Sequence, residues 1–269
     1  MIMKNINVSI KLSLMFAFGI VLCACQEKID LDLKNAEPQL VIEGIVTNQP
    51  GAFGVGLTKS KLYDEDNTPL FVIDATVWIS DDAGNTDTLS QVQPGIYVSQ
   101  PKTGIPGTTY TLKVWHENVL YQSVSRMPYP VNVDSIYYQE VAGITNPNDL
   151  SRRSYVIIND PVSVPNYYVM KTWVNSKLRG SVRVYSDRLW DGKPRNLRAP
   201  GSDLEVGDTV TVEVRSIDKS VFDYFYELQQ NNGNMGQPAA PANPTSNINP
   251  KTLGYFSAYS ITTITDIVK

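Results

Sequence analysis

The sequence predicts a mainly β protein: two antiparallel, immunoglobulin-like β-sandwich domains with one short helix in the second half. Three observations predict it. Apolar and polar residues alternate over short runs, the period of a half-buried strand. Turn residues separate those runs, with 17 Gly and 17 Pro in 269 residues, at the spacing of a sandwich. Met127-Pro128-Tyr129-Pro130 then interrupts the pattern near the middle, where two prolines remove donors and fix φ, so that no strand runs through. Residues 37–130 are therefore expected to form the first sandwich and residues 131–269 a second β-rich domain.

The elements follow in order. Leu40 and Ile42 share one face of a first strand near Pro38–Thr47, and Gly54–Thr58 alternates again. Residues 62–69 (LYDEDNTP) read as a polar loop. Ala75, Val77 and Ile79 form one face of the next strand, which turns at residues 81–87 (DDAGNTD) towards Gly95–Val98. Tyr110, Leu112 and Val114 give the cleanest inward stripe, and His116-Glu117-Asn118 turns that strand into Val119–Tyr121. Beyond the prolines, strands are expected at Val133–Val141, Tyr155–Ile158, Asn166–Val174, Ser181–Tyr185 and Thr209–Val214, the last with Val210, Val212 and Val214 on one face. Ser220 and Asp223 resemble a capping box, and Val221, Tyr224, Phe225 and Leu228 fall at i, i+3, i+4 and i+7, a helical stripe near residues 220–231 that ends at Asn231-Asn232-Gly233. Residues 233–250, rich in Pro, Asn and Ala, read as an irregular loop before a last strand at Gly254–Ile261.

The amino-terminal segment reads as an address. Lys4 and Lys11 are the only charges before Glu27, and Leu12–Leu22 is almost wholly apolar. That run is about half the ~20 residues a spanning helix needs and has the form of a signal peptide, residues 1–24. Leu22-Cys23-Ala24-Cys25 resembles a bacterial lipobox, so Cys25 is the expected site of acylation, by palmitate or similar chains, and Cys23 leaves with the leader. Two or three chains anchor a protein stably, where one binds only marginally. Residues 25–36 are then a lipidated tether. Gln26 after the anchor favours the outer membrane, facing the periplasm or the cell surface, and Gln26-Glu27-Lys28-Ile29-Asp30 loosely resembles an acidic surface-export signal.

Composition limits the chemistry. The formal charge is −4, which argues against nucleic acid as a partner. With Cys25 acylated and Cys23 removed, no intramolecular disulfide and no thiolate zinc site is expected. His116 is the sole histidine, and its place reads as an exposed hairpin end. A histidine-based triad would have to use it. No P-loop or dinucleotide fingerprint is present; no catalytic residue, metal site or cofactor is expected, and the protein reads as a non-enzyme. Asp81–Asp87 reads as a tight turn rather than a calcium loop. Tyr167, Tyr168, Trp173, Tyr185 and Trp190 cluster in sequence, and exposed aromatics anchor ligands or partners. Trp190, Trp173 and Tyr185 are the candidate ligand-binding residues, with Trp190-Asp191-Gly192-Lys193 the best single stretch because it reads as a loop.

Motif order across the chain adds a resemblance. Ile29-Asp30-Leu31-Asp32-Leu33 follows the lipobox, then Pro38 with Leu40–Gly44, then Gly56-Leu57-Thr58-Lys59-Ser60 and Val133-Asp134-Ser135-Ile136. Val214-Arg215-Ser216-Ile217-Asp218, Ser246-Asn247-Ile248 and Gly254-Tyr255-Phe256-Ser257-Ala258 complete the series. Together they resemble the domain-of-unknown-function family 4249 of Bacteroidetes-type lipoproteins. One departure is Asn249-Pro250-Lys251-Thr252, where a more glycine-rich approach to Gly254 is expected. The resemblance implies an outer-membrane lipoprotein, often associated with a TonB-dependent receptor, and an accessory or binding role; it supplies no catalytic residues. A structural or adhesive lipoprotein without a transporter is the alternative, and a glycan-degrading enzyme a weaker one.

Overall fold

The computed structural model describes residues 37–61, 66, 68–142, 150–231 and 242–269. The leader, Cys25 and the tether lie outside the described residues, as do all of the 62–69 loop but Asp66, Thr68 and Pro69, and residues 232–241. In chain order the strands are β1 (Leu40–Thr47), β2 (Gly54–Lys59), β3 (Leu70–Phe71), β4 (Thr76–Asp81), β5 (Thr86–Thr88), β6 (Ser90–Gln93), β7 (Ile96–Val98), β8 (Thr109–His116) and β9 (Val119–Arg126). Then come β10 (Asn132–Ala142), β11 (Leu150–Asn159), β12 (Tyr167–Val174), β13 (Lys177–Ser186), β14 (Pro194–Arg198) and β15 (Thr209–Ile217). Helix α1 (Lys219–Asn231), β16 (Ile248–Asn249) and β17 (Leu253–Ile267) finish the chain. The mainly β expectation holds, with three sheets and one helix among the described residues.

Nine strands make the largest sheet, in the order β13-β12-β15-β17-β1-β2-β7-β6 with β3 on β2. Its β17, β1 and β2 region faces the five-stranded sheet β16-β9-β8-β4-β5 across a core that includes Ile42, Leu57, Ile79, Leu112 and Phe256. Its β12, β15 and β17 region faces the three-stranded sheet β10-β11-β14 across a second core, with Val156, Ile158, Tyr168, Met170 and Val212. The chain break expected near residue 130 falls between β9 and β10, yet strands from both sides share the large sheet. Ile248, Phe256 and Ala258, from beyond that break, fill the first core. Pro38–Lys61 and Glu65–Lys269 form one compact unit.

Strand β17 serves three packing layers because its side chains alternate faces. Phe256 and Ala258 enter the first core, and Ile264, with Val268 just beyond the strand, packs with the second. Tyr255, Tyr259 and Ile261 face the other way, where Val221, Phe222 and Phe225 of α1 cover them in a third cluster. β17 runs antiparallel to β15 but parallel to β1, which departs from the all-antiparallel expectation. A parallel pair cannot be closed by a tight hairpin and needs a long connection; here nearly the whole chain lies between the two strands.

Two glycines set that seam. Gly44 of β1 leaves room for Phe256: a methyl there would sit 2.8 Å from the Phe256 ring and 3.1 Å from Leu112. Gly254 has φ +89°, and a methyl on it would lie 2.1 Å from the Ile42 carbonyl oxygen. Beside them, Asn247 acts as a short strand partner. Its Oδ1 accepts the Phe256 N–H at 2.9 Å and its Nδ2 donates to the Phe256 carbonyl at 2.8 Å.

The helix corrects a detail of the capping expectation. Asp218, not Ser220, is the N-cap: its Oδ1 accepts the Val221 N–H at 3.0 Å, and its carbonyl accepts the Phe222 N–H at 3.0 Å. Asp223 instead pairs with Lys219, 2.6 Å away at i, i+4. The expected stripe is present: Val221 is fully buried, and Tyr224 and Phe225 pack on Tyr255 with ring centroids 4.9 and 5.0 Å apart. The strands that sequence did not predict are short. β3 and β16 have two residues each, too few to show a period, and β14 opens on Pro194 at a sheet edge, where a missing donor is tolerated.

Urea unfolding should rank the two seam glycines. Gly44→Ala meets a side chain that can shift, at a cost of roughly 1–3 kcal/mol. Gly254→Ala meets a backbone carbonyl at positive φ and should cost more, beyond ~3 kcal/mol or abolishing folding altogether. Equal, small effects at both positions would contradict the seam as described.

Candidate functional site

A cleft of about 820 Å³ opens where α1 meets the start of β12 and the loop after β13. Its aromatic wall is Tyr167, Phe222 and Tyr226. The Tyr167 and Phe222 centroids lie 5.0 Å apart, and Phe222 stacks on Tyr226 at 5.6 Å. The last two are i, i+4 neighbours on α1, a spacing that places them on one face. The charged lining is Asp187, Arg188, Asp191, Lys219 and Asp223, with Ser163 and Ser186 beside them. Leu189, 93% exposed, stands at the mouth.

Behind the cleft three carboxylates converge. Asp160, Asp187 and Asp191 each offer an oxygen, all within 4.8 Å of one another. Asp160 is held by the Tyr168 hydroxyl at 2.6 Å and by the Gly192 N–H at 3.0 Å. Asp187, only 3% exposed, accepts the Asn166 N–H at 2.7 Å on Oδ2, and the Ser163 N–H donates to Asp191 at 2.8 Å. Such an oxygen-only set is the donor chemistry of hard cations. These protein donors already serve the cluster, and no metal role is assigned to it. Burial pushes the Asp187 carboxyl above its ordinary range, reinforced by the charges of Asp160 and Asp191 and opposed by its bonds from Asn166. The Tyr168 hydroxyl is pushed up by burial and by its bond to Asp160.

The candidate aromatics lie elsewhere. Trp190 turns inward, half-buried against the second core and stacked on Tyr168 at 6.2 Å. Tyr185 is also half-buried there, and its hydroxyl donates to the Arg198 carbonyl at 2.5 Å. Trp173 is half-buried; by strand alternation it points to the opposite face from Tyr168. None of the three lines this cleft. Tyr167 and Asp191, their neighbours in the same stretches, do. Asp160 and Asp187 sit in separate turns and carry no local motif, so nothing in the linear sequence links them.

A second cleft, about 980 Å³, lies where Pro38–Leu40 enter the body; Lys59, His116, Glu117 and Lys251 line part of it. His116 is not the exposed residue expected from sequence. It is 4% exposed, because it ends β8 on the same face as Tyr110, Leu112 and Val114. Its Nδ1 lies 3.2 Å from Asp74 and its Nε2 3.4 Å from Glu117. Both contacts are within ion-pair reach but off the line of a good hydrogen bond. Lys59 holds Glu117 at 2.8 Å and lowers its pKa, with His116 adding to the effect. The Asp81 turn is a turn: Asp81 accepts the N–H groups of Ala83 and Asn85 at 3.1 and 2.8 Å, with Gly84 at φ +88°.

The fold and clefts define a β-sandwich protein with one aromatic and acidic groove. The chain belongs to the family described as a domain of unknown function, DUF4249, whose model matches residues 26–265. Among solved structures, the chicken interferon gamma receptor alpha chain is similar at 9% identity over 67% of this chain and 90% of that one, with a TM-score of 0.21, too low to support any inference. No curated protein shows significant sequence similarity to the chain.

The Asp187 environment has a pH signature. The folded carboxyl titrates above the unfolded value of ~3.9. At neutral pH its buried charge therefore opposes folding, and the penalty fades as pH falls through the raised value and is gone below the unfolded one. Asp187→Asn keeps an acceptor for Asn166. It should raise the melting temperature at pH 7, with the gain shrinking to nothing at acid pH. Thermal melts of both proteins across pH 4–8 check this; a gain independent of pH would contradict the assignment.

Proposed function

We propose that the protein is a lipid-anchored envelope protein, held in the outer membrane by acyl chains on Cys25, that acts by binding and serves a TonB-dependent transporter in ligand uptake. The observation that carries this reading is the sequence Leu22-Cys23-Ala24-Cys25 after a short apolar run and ahead of a charged tether. Membership of the DUF4249 family, matched over residues 26–265, agrees with the motif-order resemblance from which the lipoprotein expectation came. The aromatic and acidic cleft supplies a place for ligand capture.

The outer face of the β8–β9 hairpin supports a protein partner. Trp115 and Leu120 are cross-strand neighbours, 44% and 43% exposed, and Val124 lies on the same face. An exposed Trp flanked by aliphatics is a common anchor of protein interfaces. A non-catalytic reading is supported by His116, whose ring nitrogens face Asp74 and Glu117 rather than a hydroxyl nucleophile.

Metabolic labelling with an alkyne-tagged palmitate, followed by gentle detergent extraction and mass spectrometry, tests the proposal. The native protein should carry label and retain a β-barrel transporter in stoichiometric amount. Cys25→Ser should lose the label, and Trp115→Glu should keep it while losing most of the barrel. A labelled protein that retains no barrel would sink the transporter role and favour the adhesive alternative; an unlabelled one would sink the anchor.

A further inference from the structure

We propose that the cleft between α1 and the loop after β13 takes a small organic cation, an ammonium or guanidinium group carried on a flat apolar body. The inference rests on the binding reading above and names its ligand class. The apolar body would lie on Tyr167, Phe222 and Tyr226, and the charged head would meet Asp187 and Asp191.

The charge of the cleft favours a cation. Asp187, Asp191 and Asp223 line the cleft with Arg188 and Lys219, and Asp160 stands directly behind. Lys219 and Asp223 neutralise each other, 2.6 Å apart. What remains is an acidic surplus from Asp160, Asp187 and Asp191 against Arg188 alone. Asp187 also offers an acceptor that no protein donor occupies among the described residues. Asp187 is 97% removed from solvent by its 3% exposure and lines the cleft. Its Oδ2 is bonded to Asn166, whereas its Oδ1 accepts no hydrogen bond among the described residues. That oxygen opens on the cleft, where a charged donor can reach it and form a charge-assisted hydrogen bond.

The aromatic wall favours a cation as well. Tyr and Phe faces carry negative potential and attract cations within about 6 Å of the ring centre, so the aromatic side favours the same charge as the acidic side. A neutral sugar finds hydroxyl donors in Ser163, Ser186, Tyr167 and Tyr226, but it leaves the acidic surplus unmatched, which a cation does not. The volume, about 820 Å³, is that of a site for a small molecule, which typically spans ~300–1,000 Å³.

Calorimetry on the full mature chain in detergent micelles decides the matter with three probes that share one ring: phenethylammonium, 2-phenylethanol and 3-phenylpropanoate, with maltose as a fourth. The cation should bind at least about tenfold more tightly than the neutral and anionic probes, and more weakly as salt rises. Asp187→Asn and Asp191→Asn should each weaken the cation by about tenfold and leave 2-phenylethanol unchanged. Asp191 is exposed, so its variant keeps the test intact if Asp187→Asn fails to fold. Phe222→Ala should weaken the cation without removing its salt dependence. Equal binding of the neutral probe, cation binding indifferent to both aspartate variants, maltose binding in place of the cation, or no binding by any probe would each overturn the inference. Retention of a transporter in the pull-down alongside any of these results would remove the ligand class alone and leave the uptake reading standing.

Discussion

The parallel seam between β1 and β17 is the constraint on which the rest of the molecule depends. It exists because Gly254 can approach the Ile42 carbonyl at positive φ and because Gly44 yields its side-chain space to the Phe256 ring. Once β17 lies beside β1, strand alternation distributes its side chains among three layers. One face supplies Phe256 and Ala258 to the first core and Ile264 to the second; the other supplies Tyr255, Tyr259 and Ile261 to the layer under α1. A single strand thus ties together parts of the chain that lie far apart in sequence.

From the seam a partly buried polar chain leads to the helix, and so to the cleft. The Ala258 N–H donates to the Ser125 Oγ at 2.9 Å, and Ser125 in turn donates to Asp218, the residue that caps α1. Asn247 reaches Ser220 from its place beside Phe256. The helix start is therefore held by both β9 and β17, with every member of the network supplied with a partner, the condition under which buried polar groups specify a structure. Fixing the first turn of α1 fixes Phe222 and Tyr226, the aromatic wall. The acidic side is fixed independently by Tyr168, Asn166 and backbone N–H groups around Asp160, Asp187 and Asp191. Two preorganised walls with complementary chemistry suit recognition of a ligand, because little ordering is left for the binding step.

Much of the fold was legible in the sequence, and particular residues show why. Leu112 and Val114, Val210 and Val212, and the helical stripe from Val221 announced their faces through periodicity alone. Motifs whose spacing had no evident local meaning turned out to meet in space. Asn247, Asp218, Gly254 and Phe256 come from three of the stretches that carry the family resemblance, and all border the seam or the helix cap. The site was far less legible. Asp187 and Asp191 share the loop after β13, but Asp160 follows β11, and only the fold brings its oxygen to theirs. Trp190 has the composition of a binding residue in a loop, but stacking on Tyr168 draws it inward and leaves its neighbours Leu189 and Asp191 to line the cleft. His116 follows the buried parity of its strand although a turn begins at the next residue. Local pattern records which face a side chain takes; it does not record which distant turns converge.

Native-state hydrogen exchange resolved along β17 tests the seam most directly. If the strand couples both cores, amides paired with β1 and amides paired with β15 should open together, with one free energy equal to that of global unfolding and one denaturant dependence. Separate openings, in which the β1-paired amides of β17 exchange freely while the β15-paired amides stay protected, would mean that the two cores are independent and that the seam does not govern the structure.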